Sequence, residues 1–379
     1  MDRLIYFDNG ATTYPKPPGV SEAVKQCIDT VGGNPGRGSH PLAVSASELI
    51  YACRESVGRM FGCEPEGVVF TYSATHALNM AIKGLVKRGD HVLISGMSHN
   101  AVFRPVFALA ERGEITFDIY PHRPFADDAE ILSGIRRLIR PETALVISCH
   151  MSNICSDTEP VEKIGALCRK RGIRFVVDGA QSGGHLPIDV NKMNITALCL
   201  PGHKGLFGIQ GIGVLACGKD FPTENCKTII EGGSGIHSLD PGMPEFLPER
   251  LEAGTPGTPA IAGLLAGLDW VRRVGINEIH RRCSALSSYF CDALSDFSDC
   301  TVYGKGDGGV VSFNIDGFSP SEVGAYLSER GICVRTGYHC APLAHKSVGS
   351  FEAGSVRVSF SWWNRLNEVD RLLEVMKKL

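Results

Sequence analysis

Residues 174–208 read RFVVDGAQSGGHLPIDVNKMNITALCLPGHKGLFG, and this stretch decides the fold. Its two apolar runs, Arg174–Asp178 and Ala197–Leu200, are typical of buried strands, and small and polar residues follow each run. Ligands of parallel sheets bind beyond the carboxyl ends of the strands. The stretch therefore predicts that Asp178 and Lys204 share a site at one sheet edge.

The same alternation of strand and helix signals precedes this stretch. It predicts an α/β fold with a mostly parallel sheet and helices on both faces. Further strands are predicted at Gly67–Thr71, His91–Ser95, Ile115–Tyr120 and Ala144–Cys149, and helices at Ala77–Arg88, Val102–Arg112, Ala129–Ile139 and Val161–Arg171. Polar segments that follow strand ends are Ser73–Thr75, Ser98–His99, His150–Asn153, Asp178–Gln181 and Gly202–Lys204.

The amino-acid composition changes after the predicted strands. Pro222–Pro259 is rich in glycine and proline, which indicates an irregular, functional connection between domains. A smaller α/β domain is predicted beyond it. Its helices are expected at Ala260–Val274, Ile279–Leu294 and Ser321–Arg330, and its strands at Val310–Ile315, Ile332–Arg335 and Ser355–Ser359.

Composition narrows the class of protein. The chain has 379 residues, 43% of them hydrophobic, and a formal net charge of -3, so neither nucleic acid nor a membrane is expected as a partner. The N-terminus has no signal-peptide pattern, and a cytoplasmic enzyme is the default expectation. The fourteen cysteines include no CxxC pair, so we expect mostly buried, reduced thiols and assign no metal ligands.

Lys204 and Asp178 have the chemistry that pyridoxal phosphate (PLP) requires. A lysine that forms an imine needs a pKa far below ~10.4, which burial and a nearby cation can produce. A carboxylate keeps the pyridine nitrogen of PLP protonated, and His203 can donate to its phosphate. The alternatives are a solvated loop lysine and an aspartate that caps a helix.

Two further segments fit the same cofactor. The amides of Ala74 and Thr75, with the Thr75 hydroxyl, would cradle a phosphate at a helix N-terminus, although ordinary capping has the same pattern. His99 can lie over an aromatic ring, or can be merely structural. Gly208–Gly213 reads GIQGIG, but it neither follows a strand nor begins a helix in an early βαβ unit, so we reject a dinucleotide site there.

Eight motifs in order carry a family resemblance: DNGATT, SAT, SHNAV, HMSN, VDGAQS, GHKG, EAGTP and RTGYHCAP. Over essentially the whole chain the sequence resembles class V aminotransferase-fold enzymes, and most of all the SUF-type cysteine desulfurases and selenocysteine lyases. The resemblance implies PLP, fold type I and a homodimer. It also implies a large PLP-binding domain at 15–255 and a small domain at 256–379, joined by the segment 1–14.

The resemblance also implies a role for each matching residue. Lys204 would carry PLP, Asp178 would contact the pyridine nitrogen, Gln181 the ring hydroxyl, and His99 would stack on the ring. Phosphate contacts would come from Ala74, Thr75, His203 and, from the other subunit, Thr255. Asn153 would contact cofactor and substrate, Arg357 the substrate carboxylate, and Cys340 would attack the substrate sulfur.

Two residues depart from the family pattern. Pro201 replaces the usual serine before GHK and has no N–H or hydroxyl to offer a phosphate. Gly36 stands where SUF-type enzymes often have a histidine near the substrate. The cofactor site is thus expected to have one donor fewer, and the substrate pocket to differ.

The predicted reaction removes sulfur or selenium from L-cysteine or L-selenocysteine, giving L-alanine and an enzyme persulfide that a sulfur-acceptor protein could take. Arg335 could hold the substrate carboxylate, and His339 and Arg335 could raise the thiolate fraction of Cys340. Cys340 could instead be one more buried cysteine. Alternative functions are an aminotransferase or another C–S lyase in which Cys340 is idle, and a non-catalytic sulfur carrier or scaffold.

Overall fold

The computed structural model describes residues 4–36 and 38–379. Its strands are β1 Ile5–Tyr6, β2 Val68–Thr71, β3 His91–Ser95, β4 Thr116–Tyr120, β5 Thr143–Cys149, β6 Arg174–Asp178, β7 Ala197–Pro201, β8 Gly213–Cys217, β9 Cys300–Tyr303, β10 Val310–Ile315, β11 Ile332–Cys333, β12 Arg335–Gly337 and β13 Ser355–Ser359. Its α-helices are α1 Val20–Thr30, α2 Pro41–Phe61, α3 Ala74–Leu85, α4 Asn100–Glu111, α5 Asp128–Leu138, α6 Val161–Arg171, α7 Thr258–Val274, α8 Ile276–Leu294, α9 Pro320–Ser328, α10 Pro342–Val348 and α11 Leu366–Met376.

A seven-stranded sheet confirms the predicted α/β architecture. The strand order is β2-β8-β7-β6-β5-β3-β4. Strand β8 runs antiparallel to both of its neighbours, and all the other pairs are parallel. The carboxyl ends of β3, β5, β6 and β7 therefore meet at one edge.

Alternate side chains of each central strand enter two different cores. Leu93 of β3 packs in the core that includes residues of α2, α6 and α7, whereas Val92 and Ile94 pack with residues of α3 and α4. Burial on both faces explains why these strands are nearly continuous apolar runs. It also fixes their register, since a slip by one residue would exchange the faces.

A second, antiparallel sheet has the order β12-β13-β10-β9. Its core joins Phe290 of α8, Phe313 of β10, Val358 of β13 and Leu372 of α11. Phe7 packs in the same core, and β1 pairs in parallel with β11. The division into domains at 255 and 256 stays a prediction, and residues 1–3 of its N-terminal segment lie outside the described residues.

Several details differ from the sequence prediction. Strands β1, β8 and β9 and helices α1, α2 and α10 were not predicted, and the single strand expected at Ile332–Arg335 is two short strands. One of these, β11, pairs with β1, while β12 pairs with β13. Both partners are distant in sequence, so nothing local to this run could divide it.

Helices α3 and α4 begin earlier than their apolar periodicity predicted. Ser73 caps α3 by accepting from the His76 N–H, and His99 caps α4 through its ring nitrogen. Apart from one 3-10 turn at Thr223–Asn225, Pro222–Pro259 is irregular as predicted up to the start of α7. Within the described part of the chain, no helix has the length and apolar character to cross a bilayer.

Candidate active site

A cleft enclosing about 550 Å³ opens at the carboxyl ends of the parallel strands. All five polar segments predicted to follow strand ends contribute to it or adjoin it. The cleft is lined by Ser73, Ala74, Thr75, Leu78, His99, Ala101, Cys149, Met151, Asn153, Asp178, Ala180, Gln181, Pro201, His203 and Lys204. Eight of the predicted site residues are thus brought together, whereas Thr255, Arg335, Arg357 and Cys340 do not line it.

Lys204 follows β7 and is half-buried in this cleft. Burial, reinforced by the positive charge of Arg357, lowers the pKa of its amine to about 8, although Asp178 opposes the shift. The Thr13 hydroxyl donates to the Lys204 carbonyl oxygen over 3.2 Å, which fixes the backbone beside it. An amine held in this way reaches its neutral, nucleophilic form close to physiological pH.

Asp178 is the last residue of β6 and is buried. The Ala180 N–H donates to its Oδ1 over 3.0 Å. Burial raises the pKa of this carboxyl against the opposing effects of that hydrogen bond and of Lys204. A cationic N–H placed in the cleft would relieve the cost of burying the carboxylate, as the pyridinium nitrogen of PLP would.

His99 caps α4, and its Nδ1 accepts from the Ala101 N–H over 3.0 Å. Its other ring nitrogen, Nε2, then carries the proton. Burial, followed by the charge of Lys204, lowers the pKa of His99 to about 4. The ring is therefore neutral at pH 7.

Another group of residues that line the cleft has the properties of an anion site. Ala74 and Thr75 form the first turn of α3, where backbone amides and the helix dipole favour an anion. The buried Nδ1 of His203 has no hydrogen-bond partner among the described residues. Burial and the charges of Lys204 and Lys16 lower the pKa of His203 to about 4, so one neutral ring nitrogen can donate to a phosphate. Pro201 lines this cleft without contributing a donor.

The N-terminal segment completes the site, and residue-level prediction missed its contribution. Gln181 donates through Nε2 to the Gly10 carbonyl oxygen over 3.0 Å. Lys16 donates through Nζ to the His203 carbonyl oxygen over 2.7 Å. The DNGATT motif was the available signal, but it gives no indication of which sheet edge these residues join.

A second group of polar residues lies around β12 and β13. Arg357 is 1% exposed, and its Nη2 donates to Asp8 Oδ1 over 2.8 Å. Arg335 stands opposite Arg357 in the strand register. Nη1 of Arg357 donates to the Asn153 carbonyl oxygen over 3.3 Å, while Oδ1 of Asn153 is buried without a described partner. The guanidinium group of Arg357 therefore contacts Asn153, which lines the cleft, and Arg335 stands beside Arg357 on the neighbouring strand.

Cys340 is exposed, whereas each of the other thirteen cysteines, all within the described residues, is buried or half-buried. The alternative of a buried Cys340 is thus wrong. It lies in the connection between β12 and α10, where His339 and Cys340 have φ values of 48° and 57°. The Asn100 N–H donates to the Cys340 carbonyl oxygen over 2.7 Å, and Nδ2 of Asn153 donates to that of His339 over 2.9 Å. These bonds attach the cysteine loop to residues beside His99 and within the cleft.

The expected influence of His339 on the thiol is wrong. Its ring is buried, and its Nε2 lies 3.1 Å from the Ser355 carbonyl oxygen. Burial and the charge of Arg357 lower the pKa of His339 far below its ordinary value. A neutral ring cannot supply the positive charge that would favour a thiolate at Cys340.

Thr255 is exposed and lies in a separate cleft with Tyr72 and His76. Gly36 is also exposed, with φ 75° and open space around the position of a Cβ. Neither residue touches the Lys204 cleft of its own chain. Among the described residues, no cluster of three or more His, Cys, Asp or Glu side chains could hold a metal ion.

Residues 5–372 match the family model described as aminotransferase class-V. The chain belongs to the aminotransferase class-V family. Among its relatives is a probable cysteine desulfurase of Methanothermobacter thermautotrophicus, 31% identical over 99% of this chain and 94% of the relative. A cysteine desulfurase of Pectobacterium atrosepticum is 31% identical over 99% of this chain and 93% of that protein.

Solved structures agree with this assignment of the class-V chain. The apo cysteine desulfurase of Thermococcus onnurineus NA1 superposes with a TM-score of 0.90 at 32% identity, covering 99% of this chain and 94% of that one. The cysteine desulfurase CsdA of Escherichia coli, in an S-sulfonic acid form, gives a TM-score of 0.88 at 26% identity over the same shares. The predicted family and fold are confirmed.

Proposed function

We propose that this class-V protein is a PLP-dependent cysteine desulfurase that converts L-cysteine to L-alanine and leaves the sulfur as an enzyme persulfide, with L-selenocysteine as the alternative substrate. The observation that carries the proposal is a half-buried lysine of lowered pKa in a cleft, with one exposed cysteine at the end of a loop attached to that cleft. Relatives that carry the name cysteine desulfurase support it.

The residues present fit PLP. Lys204 would carry it, with Asp178 at the pyridine nitrogen, Gln181 at the ring hydroxyl and His99 against the ring. The orphaned Nδ1 of His203 and the first turn of α3, at Ala74 and Thr75, would hold the phosphate. When bound, PLP supplies an electron sink for the electrons left by removal of a substrate proton.

The chain's own groups would then share the chemistry. Lys204, once free, is a base with a pKa near neutrality that can move the substrate α-proton. Arg335, Arg357 and Asn153 would hold the substrate carboxylate, which directs the sulfur towards the loop. The Cys340 thiolate would attack that sulfur, so that a sulfur–sulfur bond forms while the carbon–sulfur bond breaks.

A homodimer, a sulfur-acceptor protein and a cytoplasmic location complete the proposal. Thr255 lies outside its own chain's Lys204 cleft, which supports a phosphate contact in a second copy. The exposure of Cys340 supports transfer of sulfur to an acceptor. All fourteen cysteines, each within the described residues, are free, in keeping with a reducing compartment.

Replacement of the proposed sulfur acceptor tests the function. Cys340→Ser should still bind PLP and L-cysteine but lose persulfide and L-alanine, because a hydroxyl does not accept the sulfur. The measurement is alanine release with mass spectrometry of the persulfide, for cysteine and selenocysteine side by side. The control is Cys300→Ser, a half-buried cysteine on β9 that should retain the wild-type rate.

Other outcomes identify the alternative functions. Sulfur release by Cys340→Ser at the wild-type rate would leave the aminotransferase or C–S lyase alternatives, which the appearance of a keto acid would distinguish. A purified wild-type protein that is colourless and takes up no added PLP would support the non-catalytic carrier or scaffold.

A further inference from the structure

A buried carboxylate that the proposed reaction does not use lies between β5 and α6. The side chain of Glu159 is fully buried. Its Oε2 accepts from the Tyr120 hydroxyl over 2.6 Å, and its Oε1 accepts from the Ser95 hydroxyl and lies 3.1 Å from Nδ1 of His122. Donors from the ends of β3 and β4, and from the residues just after β4, thus converge on one group.

Burial of this charge needs an explanation. Taking a carboxylate out of water costs several kcal/mol, and ion pairs in protein interiors are often no better than apolar packing. Burial acts to lower the pKa of His122, but its contact with Glu159 prevails, and the pKa is raised. The chain therefore keeps a fully buried carboxyl group here, held by contacts with three side chains.

The first connection from Glu159 leads to His99. The Ser95 hydroxyl that donates to Glu159 also accepts from the Met97 N–H over 2.9 Å. The Ser98 N–H donates to the Ser95 carbonyl oxygen over 3.1 Å, and His99 is the next residue. The turn that carries His99 from β3 to α4 is thus tied to the carboxylate through one hydroxyl.

The second connection leads to Asp178. The Glu159 N–H donates to the His150 carbonyl oxygen over 3.1 Å, and the His150 N–H donates to the Asp178 carbonyl oxygen over 3.1 Å. Asp178 and His99 are the two residues assigned to the nitrogen and the face of the PLP ring. Glu159 is therefore joined to both by short chains of hydrogen bonds, to the His99 turn through its carboxylate and to Asp178 through its own backbone N–H.

We propose that Glu159 is a positioning residue: its carboxylate fixes the His99 turn through Ser95, and its backbone N–H holds Asp178 through the main chain of His150, in the geometry that the cofactor requires. This inference rests on the proposed function. It assigns no proton transfer to Glu159. We expect that loss of the Ser95 hydrogen bond disturbs the bound cofactor more than loss of another hydrogen bond to the same carboxylate.

Two matched variants test this difference. Ser95→Ala and Tyr120→Phe each remove one hydroxyl that donates to Glu159, but only Ser95 is connected to the turn that carries His99. With PLP-loaded enzyme, Ser95→Ala should change the visible circular dichroism of the bound cofactor. It should also lower kcat by about tenfold with a smaller change in KM, because misplaced groups near the reacting centre are costly. Tyr120→Phe should keep the wild-type spectrum, even where its melting temperature falls equally.

Two more variants separate positioning from general stability. Thr143→Val removes a buried hydrogen bond to His91 at the opposite end of β3 and β5, and should leave the spectrum unchanged. Ser95→Thr keeps the hydroxyl and should restore the spectrum. If Ser95→Ala does not fold, Glu159→Gln replaces it, since the amide cannot accept from all three donors, and the same spectral change is expected.

The outcomes distinguish the two proposals. Equal spectra and equal kcat for Ser95→Ala and Tyr120→Phe, in a wild-type background that binds PLP and turns over cysteine, would overturn the positioning role alone. A wild-type protein that takes up no PLP would overturn the proposed function.

Discussion

At the scale of single residues, two lysines have the lowered pKa expected of the residue that carries the cofactor. Burial lowers the pKa of both Lys204 and Lys16 to about 8. Below that pH the Lys204 amine is protonated and unreactive, and above it the amine is neutral. Attachment of added PLP to the apoprotein should therefore become faster as pH rises through about 8, and borohydride reduction with peptide mapping should find the label on Lys204.

Variants at the two lysines provide the control for this assignment. Lys204→Ala should give no reducible attachment, because the Lys16 amine that remains donates to the His203 carbonyl oxygen. Lys16→Met should still be labelled, because it keeps Lys204. Label on Lys16 in the wild-type protein, or a rate of attachment independent of pH between 7 and 9, would contradict the assignment.

The sequence predicted some residues of the site better than others, for a physical reason. Asp178 ends β6, and Lys204 and His99 lie in the segments that follow β7 and β3, so their convergence was predictable from parallel pairing alone. Asp8, Lys16 and Glu159 act through partners that are distant in sequence. The neutral state of His339 depends on burial and on Arg357, neither of which RTGYHCAP reveals.

At the scale of elements, the segments after β6 and β7 lie backbone against backbone. A Cβ added to Gly205 would lie 2.2 Å from the Gly183 carbonyl oxygen, and one added to Gly184 would lie 2.0 Å from that of Gly205. Gly205→Ala should therefore separate the segments that carry Asp178 and Lys204. The expected result is loss of PLP retention on dialysis, together with a lower melting temperature.

A glycine in open surroundings supplies the comparison for Gly205. Gly242 lies in the irregular 222–259 region, where a Cβ would meet nothing within 4 Å. Gly242→Ala should retain PLP as the wild type does. Normal retention by Gly205→Ala would mean that the two segments can part without disturbing the site.

The elements themselves were predictable to different degrees. The parallel strands are buried on both faces, so their apolar runs are strong signals. Strand β8 follows a glycine-rich loop and returns antiparallel, and β11 has only two residues. These strands form because they pair with strands elsewhere in the fold, and the hydrophobic periodicity of a short stretch of sequence does not reveal such pairing.

At the scale of the whole molecule, the proposed homodimer determines whether the phosphate site is complete. Thr255→Ala should weaken PLP retention without changing the melting temperature of the apoprotein, because its hydroxyl is exposed in the single chain. Light scattering should give twice the chain mass of 40.8 kDa. The control is Thr228→Ala, a half-buried threonine in the same irregular region, which should retain PLP.

Two results would contradict the proposed dimer. One is a catalytically competent monomer at the concentration of the assay. The other is equal PLP retention by Thr255→Ala and the wild type, which would leave the phosphate site complete within one chain.

The contacts of the N-terminal segment determine the order in which parts of the chain can fold during synthesis on the ribosome. Asn9 bonds to Ser359 and Asn364, and Asp8 bonds to Arg357, so its partners emerge last. The strands of the large sheet can pair while translation continues, since domains fold as units during synthesis. Gly10, which accepts from Gln181, also donates through its N–H to the Ser359 hydroxyl over 2.7 Å, and this second bond can form only once β13 has left the exit tunnel. A nascent chain stalled before Ser355 should carry a paired large sheet beneath an open, immature catalytic cleft.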